Sequence, residues 1–109
     1  MFANLHRDLR CPAMNVVIGR LGDHAPGVGM QVGWDAVRAI QMKIAREIPR
    51  GAWVDTDDLN DKMEGEKPVN DLHYTKAGYA LFAQGLARLC VRLIRGEQPD
   101  AIGRPNRSA

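Results

Sequence analysis

The stretch MNVVIGRL, residues 14–21, is a short apolar run rich in β-branched side chains. Gly22 and Asp23 stop the run, and a segment with several glycines and a proline follows it. A strand that is apolar on both faces is typical of a parallel sheet, because helices cover each side of such a sheet. The stretch therefore predicts a buried parallel strand, and it makes an α/β fold the first expectation.

Helical periodicity lies on both sides of this strand. Residues 2–10 place Phe2, Leu5 and Leu9 at helical spacing, and Pro12 ends that pattern. Residues 22–33 are predicted to form a loop. A second helix is predicted from about residue 30 to residue 48. Its expected apolar face consists of Trp34, Val37, Ile40, Ile44 and Ile48.

The remainder of the chain repeats the pattern of a strand followed by a helix. AWVDT, residues 52–56, predicts a second short strand, and the polar residues from 57 to 74 predict a loop. Thr75 is a suitable N-cap for a third helix that ends before Gly96. The expected apolar face of that helix consists of Tyr79, Phe82, Leu86, Leu89 and Leu93.

The order helix, strand, helix, strand, helix predicts a parallel sheet with right-handed crossovers. Two strands are few for this architecture, since parallel strands are normally buried on both sides. We therefore expect residues 1–95 to form the C-terminal part of a larger doubly wound domain, followed by a mobile tail at 96–109. Either further strands precede Met1 in a longer parent, or another chain covers the open edge of the sheet.

Composition excludes several classes of protein. The chain has 109 residues with 45% hydrophobic and 26% charged side chains, and its net charge of +2 is too small to predict a nucleic-acid partner. The sequence contains no run of about 18 apolar residues, so no membrane-spanning helix is expected. A cytoplasmic location is the default expectation unless a signal peptide lies upstream. Cys11 and Cys90 lack metal-ligand spacing and are expected to be reduced thiols in or near the core. No cofactor or metal is expected.

His73 is the candidate for chemistry. It lies in the loop after the second strand, where open α/β sheets bind ligands, and just before a helix N-terminus, whose dipole favours the neutral imidazole. A carboxylate could orient its ring. The alternative is a surface histidine that hydrogen-bonds its own turn. The candidate carboxylates are Asp71, Asp55, Asp57 and Asp58.

Three stretches carry a family resemblance: GWDAVRAIQ at 33–41, VDTDDL at 54–59 and NDLHYTKAGY at 70–79. Together they resemble the SGNH-type hydrolases, in particular the sialate O-acetylesterase and acetylxylan esterase branch, over roughly residues 2–95. The resemblance implies a flavodoxin-like three-layer α/β/α sandwich with parallel strands. It also implies removal of acetyl groups from sugars by a Ser-His-Asp mechanism without metal.

The resemblance assigns roles to individual positions. His73 matches the catalytic base and Gly78 the glycine of the following helix. The family has its acid three residues before the histidine, a position that Asn70 occupies here. Asp71 is therefore favoured as the acid. Asn70 is the alternative, since its amide could hold the imidazole tautomer. The only serine is Ser108, in the tail, where no strand or glycine turn precedes it.

The other blocks of the family pattern are absent from the sequence. These are a His-Gln-Gly-Glu stretch and the Gly and Asn donors of the oxyanion hole, one donor of which is typically worth about 100- to 1000-fold in rate. Cys11, Cys90 and Thr75 are poor substitutes for the nucleophile. We therefore expect a segment of a carbohydrate esterase that is inactive alone and acts on an acetylated sugar only when an N-terminal segment completes it.

Two other functions compete with this interpretation. The first is a non-catalytic interaction module, or a decayed remnant, that pairs with another chain or its own copy through the exposed sheet edge. The second, a nucleotide-binding unit, is weaker because the glycine spacing after the first strand fits no phosphate-binding fingerprint.

Several polar residues are expected to have ordinary structural roles. Trp34 is expected in the core or over the substrate cleft. Arg38 and Gln41 are expected to form a solvated or supporting pair. His24 and Asp23 are expected to face solvent, with contact to a substrate at the carboxyl end of the strand as the alternative. His6 is expected to be exposed on the first helix.

Overall fold

The computed structural model describes residues 1–24, 29–70 and 72–97, with the backbone alone at 68–70. The elements in chain order are α1 Phe2–Asp8, β1 Val16–Gly19, α2 Gln31–Glu47, β2 Gly51–Val54, β3 Asp61–Glu64, β4 Lys67–Asn70 and α3 Lys76–Ile94. The predicted α/β class is confirmed at this level. Asp71, Ser108 and nearly all of the predicted tail lie outside the described residues.

Strands β1 and β2 form a parallel pair, and α2 connects them, as the sequence predicts. The register runs from Val16 opposite Gly51 to Gly19 opposite Val54. The last three residues of β2 are buried, whereas every residue of β1 is only half-buried. The edge of the sheet beside β1 is therefore the less covered one.

Helices α2 and α3 pack on opposite faces of this parallel pair. A Cβ atom added at Gly51 would lie 2.2 Å from the carbonyl oxygen of Ala45 in α2. One added at Gly19 would lie 2.4 Å from the Phe82 ring in α3. Glycine at these two positions lets the helices approach closely, and the core on the α3 side is a cluster of apolar side chains: Ala52, Val54, Leu89 and Leu93, joined by Val17, Phe82 and Leu86.

The face that α2 turns to the sheet differs from the predicted one. Val37 and Ile40 are 43% and 52% exposed, although the sequence placed them on the apolar face. Arg38 and Gln41 instead point to the end of β1, and Ala45 is the buried residue of the helix. The prediction was wrong for Val37 and Ile40, whereas Trp34, Ile44 and Ile48 are half-buried. It counted only apolar side chains, and the exposed backbone at the end of the strand attracts polar ones.

Both ends of α3 follow the predicted capping. The Thr75 hydroxyl accepts a hydrogen bond from the backbone N–H of Gly78 at 2.9 Å. At the other end Gly96 has a φ of +78°, and its N–H donates to the carbonyl of Leu93, which is part of a Schellman motif. Tyr79, predicted on the apolar face, is 54% exposed, whereas Leu89 and Leu93 are buried as expected.

The polar segment after β2 contains a hairpin where the sequence predicted only a loop. Strands β3 and β4 are antiparallel, and Gly65 and Glu66 form the two-residue turn between them. Gly65 has a φ of +64°, the positive value that a type II′ turn requires at its first central position. The strands lack apolar alternation, so their period was not visible in the sequence.

Three further expectations are corrected at the surface. No residue of α1 is buried, and Leu5 and Leu9 of its predicted apolar face are exposed. Cys11 and Cys90 are free thiols, but both are exposed rather than near the core. His6 is half-buried, not exposed.

Helix α3 is the one helix in the described part of the chain that is long and apolar enough to cross a membrane, a test that core helices of soluble proteins also pass. The expectation that no segment spans a membrane stays a prediction.

Candidate functional site

Side chains of α2 hold the backbone that leaves the carboxyl end of β1. The indole Nε1 of Trp34 donates to the carbonyl of Gly22 at 2.8 Å, and Arg38 Nη1 donates to the carbonyl of Leu21 at 2.7 Å. The amide oxygen of Gln41 accepts the backbone N–H of Leu21 at 2.9 Å. Trp34, Arg38 and Gln41, here called the α2 clamp, therefore satisfy three backbone groups that have no sheet partner.

Residues after β2 complete the hold on this segment. The hydroxyl of Thr56, which is fully buried, donates to the carbonyl of Leu21 at 3.0 Å. Leu21 therefore receives hydrogen bonds from α2 and from the chain beyond β2. The supporting role considered for Arg38 and Gln41 is the one that the structure shows, and Trp34 acts with them through its polar atom.

A charge cluster adjoins the α2 clamp and shares Arg38 with it. The Arg20 side chain is 7% exposed, and its Nη2 lies 2.5 Å from a carboxylate oxygen of Asp55 and 2.5 Å from one of Asp57. Arg38 also binds Asp57, and the guanidinium carbon of Arg20 lies 4.7 Å from the Trp53 ring centroid. This group of Arg20, Arg38, Asp55 and Asp57 is here called the Arg20 cluster. Its two carboxylates, both candidates to orient His73, each bind an arginine.

Sequence reasoning missed Arg20. The available signal was an arginine at the end of the apolar run VVIGRL, followed in the next strand by carboxylates at residues 55 and 57. Because the carboxyl ends of parallel strands meet at one edge of a sheet, such charges are brought together.

The Arg20 cluster lowers the pKa of Asp57 below its ordinary value. Partial burial alone would raise the pKa. The hydrogen bond from Arg38, together with the positive charges of Arg20 and Arg38, outweighs that effect. The ionised carboxylate is therefore the form that the folded chain favours.

Acidification should weaken the fold through Asp57. Because its pKa is lower in the folded chain than in the unfolded chain, its contribution is present above the unfolded pKa of about 3.9 and is lost as the pH falls through the folded pKa. We expect the urea midpoint to fall as the pH is lowered below about 5. The decline should be shallower in Asp57→Asn. Equal slopes for both proteins would show that Asp57 contributes nothing.

His73 lies in the short segment between β4 and α3, and its side chain is exposed. Leu72 and Tyr74, on either side of it, line a cavity. Two residues further on, the backbone N–H of Thr75 donates to the carbonyl of Leu59 at 3.0 Å. This hydrogen bond joins residues 72–75, here called the His73 segment, to the buried Leu59 in the loop that follows β2.

The candidate partners of the His73 ring that lie nearest to it in sequence are only partly described. Asp71 lies outside the described residues. Asn70 is the last residue of β4, where its backbone pairs with Asp61. Asp58 is exposed in the loop after β2. Pairing of His73 with Asp71, and the alternative with Asn70, stay predictions.

Tyr74 links the His73 segment to β1. Its hydroxyl donates to the carbonyl of Arg20 over 3.5 Å, and its ring lies 5.7 Å from that of Phe82. Burial raises the pKa of the Tyr74 phenol, so the hydroxyl stays protonated near neutral pH. The Tyr74 ring also lies 3.2 Å from where a Cβ at Gly22 would be, so this glycine leaves space for the ring.

The cavity beside these residues has a volume of about 290 Å³. Residues 19–22, at the carboxyl end of β1, form part of its lining. This is the end of a parallel sheet at which ligands bind in open α/β folds. Its aromatic lining residues are Trp34, Tyr74, Tyr79 and Phe82.

His24 was expected to face solvent, and that prediction was wrong. It is half-buried, and its ring packs edge-on against Trp34 at a centroid distance of 5.5 Å. Its Nδ1 is buried without a hydrogen-bond partner among the described residues. Asp23 beside it is half-buried as well.

Over residues 1–24, 29–70 and 72–97, no group of three His, Cys, Asp or Glu side chains could hold a metal ion.

No family model, curated protein or solved structure matches the chain. The α/β class follows from the architecture itself.

Proposed function

We propose that the chain is the histidine-bearing, C-terminal part of an SGNH-type carbohydrate O-acetylesterase, with His73 as the catalytic base. The observation that carries this proposal is the position of His73. It lies at the carboxyl end of two parallel strands, immediately before the first turn of α3, between two residues that line a cavity. Catalytic residues of open α/β enzymes occupy this position.

The finer fold assignment belongs to the same proposal. A parallel strand pair with α2 on one face and α3 on the other is compatible with the final portion of a flavodoxin-like α/β/α sandwich. The half-buried edge of β1 would then pair with a preceding strand.

In this function His73 would take the proton of a serine hydroxyl as that oxygen attacks the acetyl carbon, and would then return it to the departing sugar oxygen. A carboxylate or amide at Asp71 or Asn70 would hold the ring in the required tautomer. The nucleophile and the oxyanion donors would come from a segment other than residues 1–97, in which the sequence has no serine. Acetylated sugar would be the substrate of the completed enzyme.

The 109-residue chain alone should not hydrolyse para-nitrophenyl acetate above the buffer rate, because a base without a nucleophile and an oxyanion hole has no attacking group to activate. The test is a comparison of initial rates for the wild type, His73→Ala and buffer. Turnover well above buffer that disappears in His73→Ala would contradict the proposed dependence on another segment.

A second candidate, a non-catalytic module that pairs with another chain, is favoured by the surface of α1 and β1. No residue of α1 is buried, Leu5 and Leu9 are exposed, and β1 is half-buried throughout. A module that pairs with its own copy should form a dimer whose melting midpoint rises with protein concentration, whereas the enzyme segment should be a monomer whose midpoint does not. Sedimentation and calorimetry on one sample separate the two. The expected absence of nucleic-acid and membrane partners and the cytoplasmic location stay predictions.

A further inference from the structure

We propose that the cavity at the end of β1 binds one neutral pyranose ring, with Tyr79 as the principal contact, and that it does not select a carboxylate-bearing sugar. The inference rests on the proposed function for the choice of a sugar. It goes further by naming the charge class of that sugar and the side chain that recognises it.

The size and lining of the cavity fit a single ring. Its volume of about 290 Å³ lies at the lower limit of ligand pockets, which range from about 300 to 1,000 Å³. Trp34, Tyr74, Tyr79 and Phe82 all line it, and aromatic faces pack against the C–H faces of a compact ring. A side chain at Gly19 would meet Phe82 and one at Gly22 would meet Tyr74, so glycine at both positions leaves space for these lining rings.

Tyr79 is suited to be the contact with the ligand. It is 54% exposed and lies in the first turn of α3, with its ring 5.3 Å from that of Tyr74. The other rings have structural partners: Trp34 donates to Gly22, and Phe82 packs against the core. Removal of the Tyr79 ring should therefore affect binding more than folding.

The charges at the cavity favour a neutral ligand. Arg20 is the one cationic side chain among the described residues that line it. Its guanidinium binds Asp55 and Asp57, and Arg38 also binds Asp57, so the two positive charges of the Arg20 cluster are matched by two carboxylates. An anionic sugar would have to compete with Asp55, whose side chain is 10% exposed, for the Arg20 guanidinium, and displacement would leave that buried carboxylate without its arginine.

The test is a titration of the 109-residue chain followed by backbone amide NMR shifts, with methyl β-xylopyranoside as the neutral probe and the methyl α-glycoside of N-acetylneuraminic acid as the anionic one. We expect the xyloside to bind with a Kd on the order of 1 mM and to shift Gly19 and Gly22. Tyr79→Ala should weaken binding by about tenfold, whereas Tyr79→Phe and the matched surface variant Val37→Ala should retain it. The sialoside should leave these signals unchanged.

Sialoside binding as tight as xyloside binding, xyloside binding that survives Tyr79→Ala, or no xyloside binding at all would each overturn the inference. Other results distinguish a failure of the proposed function from a failure of this inference. If His73→Ala has no effect on hydrolysis by the completed polypeptide while xyloside still binds through Tyr79, the sugar site stands without the esterase. If hydrolysis requires His73 but the KM for acetylated xyloside is unchanged in Tyr79→Ala, the esterase function is supported and Tyr79 is not the sugar contact.

Discussion

Gly78→Ala is expected to lower the free energy of unfolding by about 1–3 kcal/mol, the usual cost of forcing an extra methyl into a packed site. The sign is opposite to that of an ordinary helix position, where replacing glycine with alanine gains up to about 1 kcal/mol. An ideal Cβ at Gly78 would lie 1.9 Å from the carbonyl oxygen of Leu59. That oxygen belongs to backbone, so it cannot move away as the end of a flexible side chain can.

The same substitution should disturb the candidate site. Leu59 is fully buried, and its carbonyl also accepts the N–H of Thr75, so relief of the clash requires the first turn of α3 to shift. That turn directly follows His73. Urea unfolding measures the stability change, and amide NMR shifts at residues 72–75 measure the displacement.

Gly33→Ala is the matched control, because Gly33 is a helical glycine whose added Cβ would meet no atom within 4 Å. Its stability should stay the same or rise by up to about 1 kcal/mol. If Gly78→Ala is as stable as Gly33→Ala, α3 does not pack against Leu59 as closely as described.

Arg20→Leu is expected to cost about 3–5 kcal/mol, the range for removing one partner of a buried ion pair. Arg20 and Asp55 have side chains only 7% and 10% exposed, so Asp55 would lose its charged partner in a place that water reaches poorly. The contact of the guanidinium with the Trp53 ring would be lost as well. Since small domains are stable by only about 5–15 kcal/mol, this variant should be close to unfolding.

Two further variants keep the Arg20 prediction testable if Arg20→Leu does not fold. Arg20→Lys retains the charge but not the planar fork, so its loss should be intermediate. Arg7→Leu removes an arginine whose ion pair with Asp8 is exposed, and it should change stability by less than about 0.5 kcal/mol. Arg20→Leu with the stability of Arg7→Leu, measured by urea unfolding, would show that the Arg20 cluster does not hold the strand ends together.

The elements that local pattern determines could be predicted from the sequence. Strands β1 and β2 are short β-branched or apolar runs bounded by glycine, proline or aspartate, and both were found in a parallel pair. Helix α3 was predicted with both ends, because Thr75 and Gly96 have the capping chemistry that fixes a helix boundary.

The features that depend on tertiary contacts could not be predicted. Whether Arg38 and Gln41 face the sheet depends on the unpaired backbone of Leu21, which helical periodicity does not reveal. The burial of Arg20 depends on carboxylates 35 and 37 residues away. The position of His73 at the strand ends followed from topology alone, whereas the aromatic cavity beside it required the packing of α3 against β1.

The most direct test of the proposed function is the rate at which the completed polypeptide hydrolyses para-nitrophenyl acetate. In the proposal this polypeptide would join residues 1–109 to the segment that supplies the serine and the oxyanion donors, which is to be sought in the DNA upstream of the Met1 codon. We predict that His73→Ala lowers that rate by about 100- to 10,000-fold, the usual contribution of a general base, while His6→Ala on α1 retains the wild-type rate. Wild-type hydrolysis by His73→Ala would contradict the assignment of His73 as the base of an esterase.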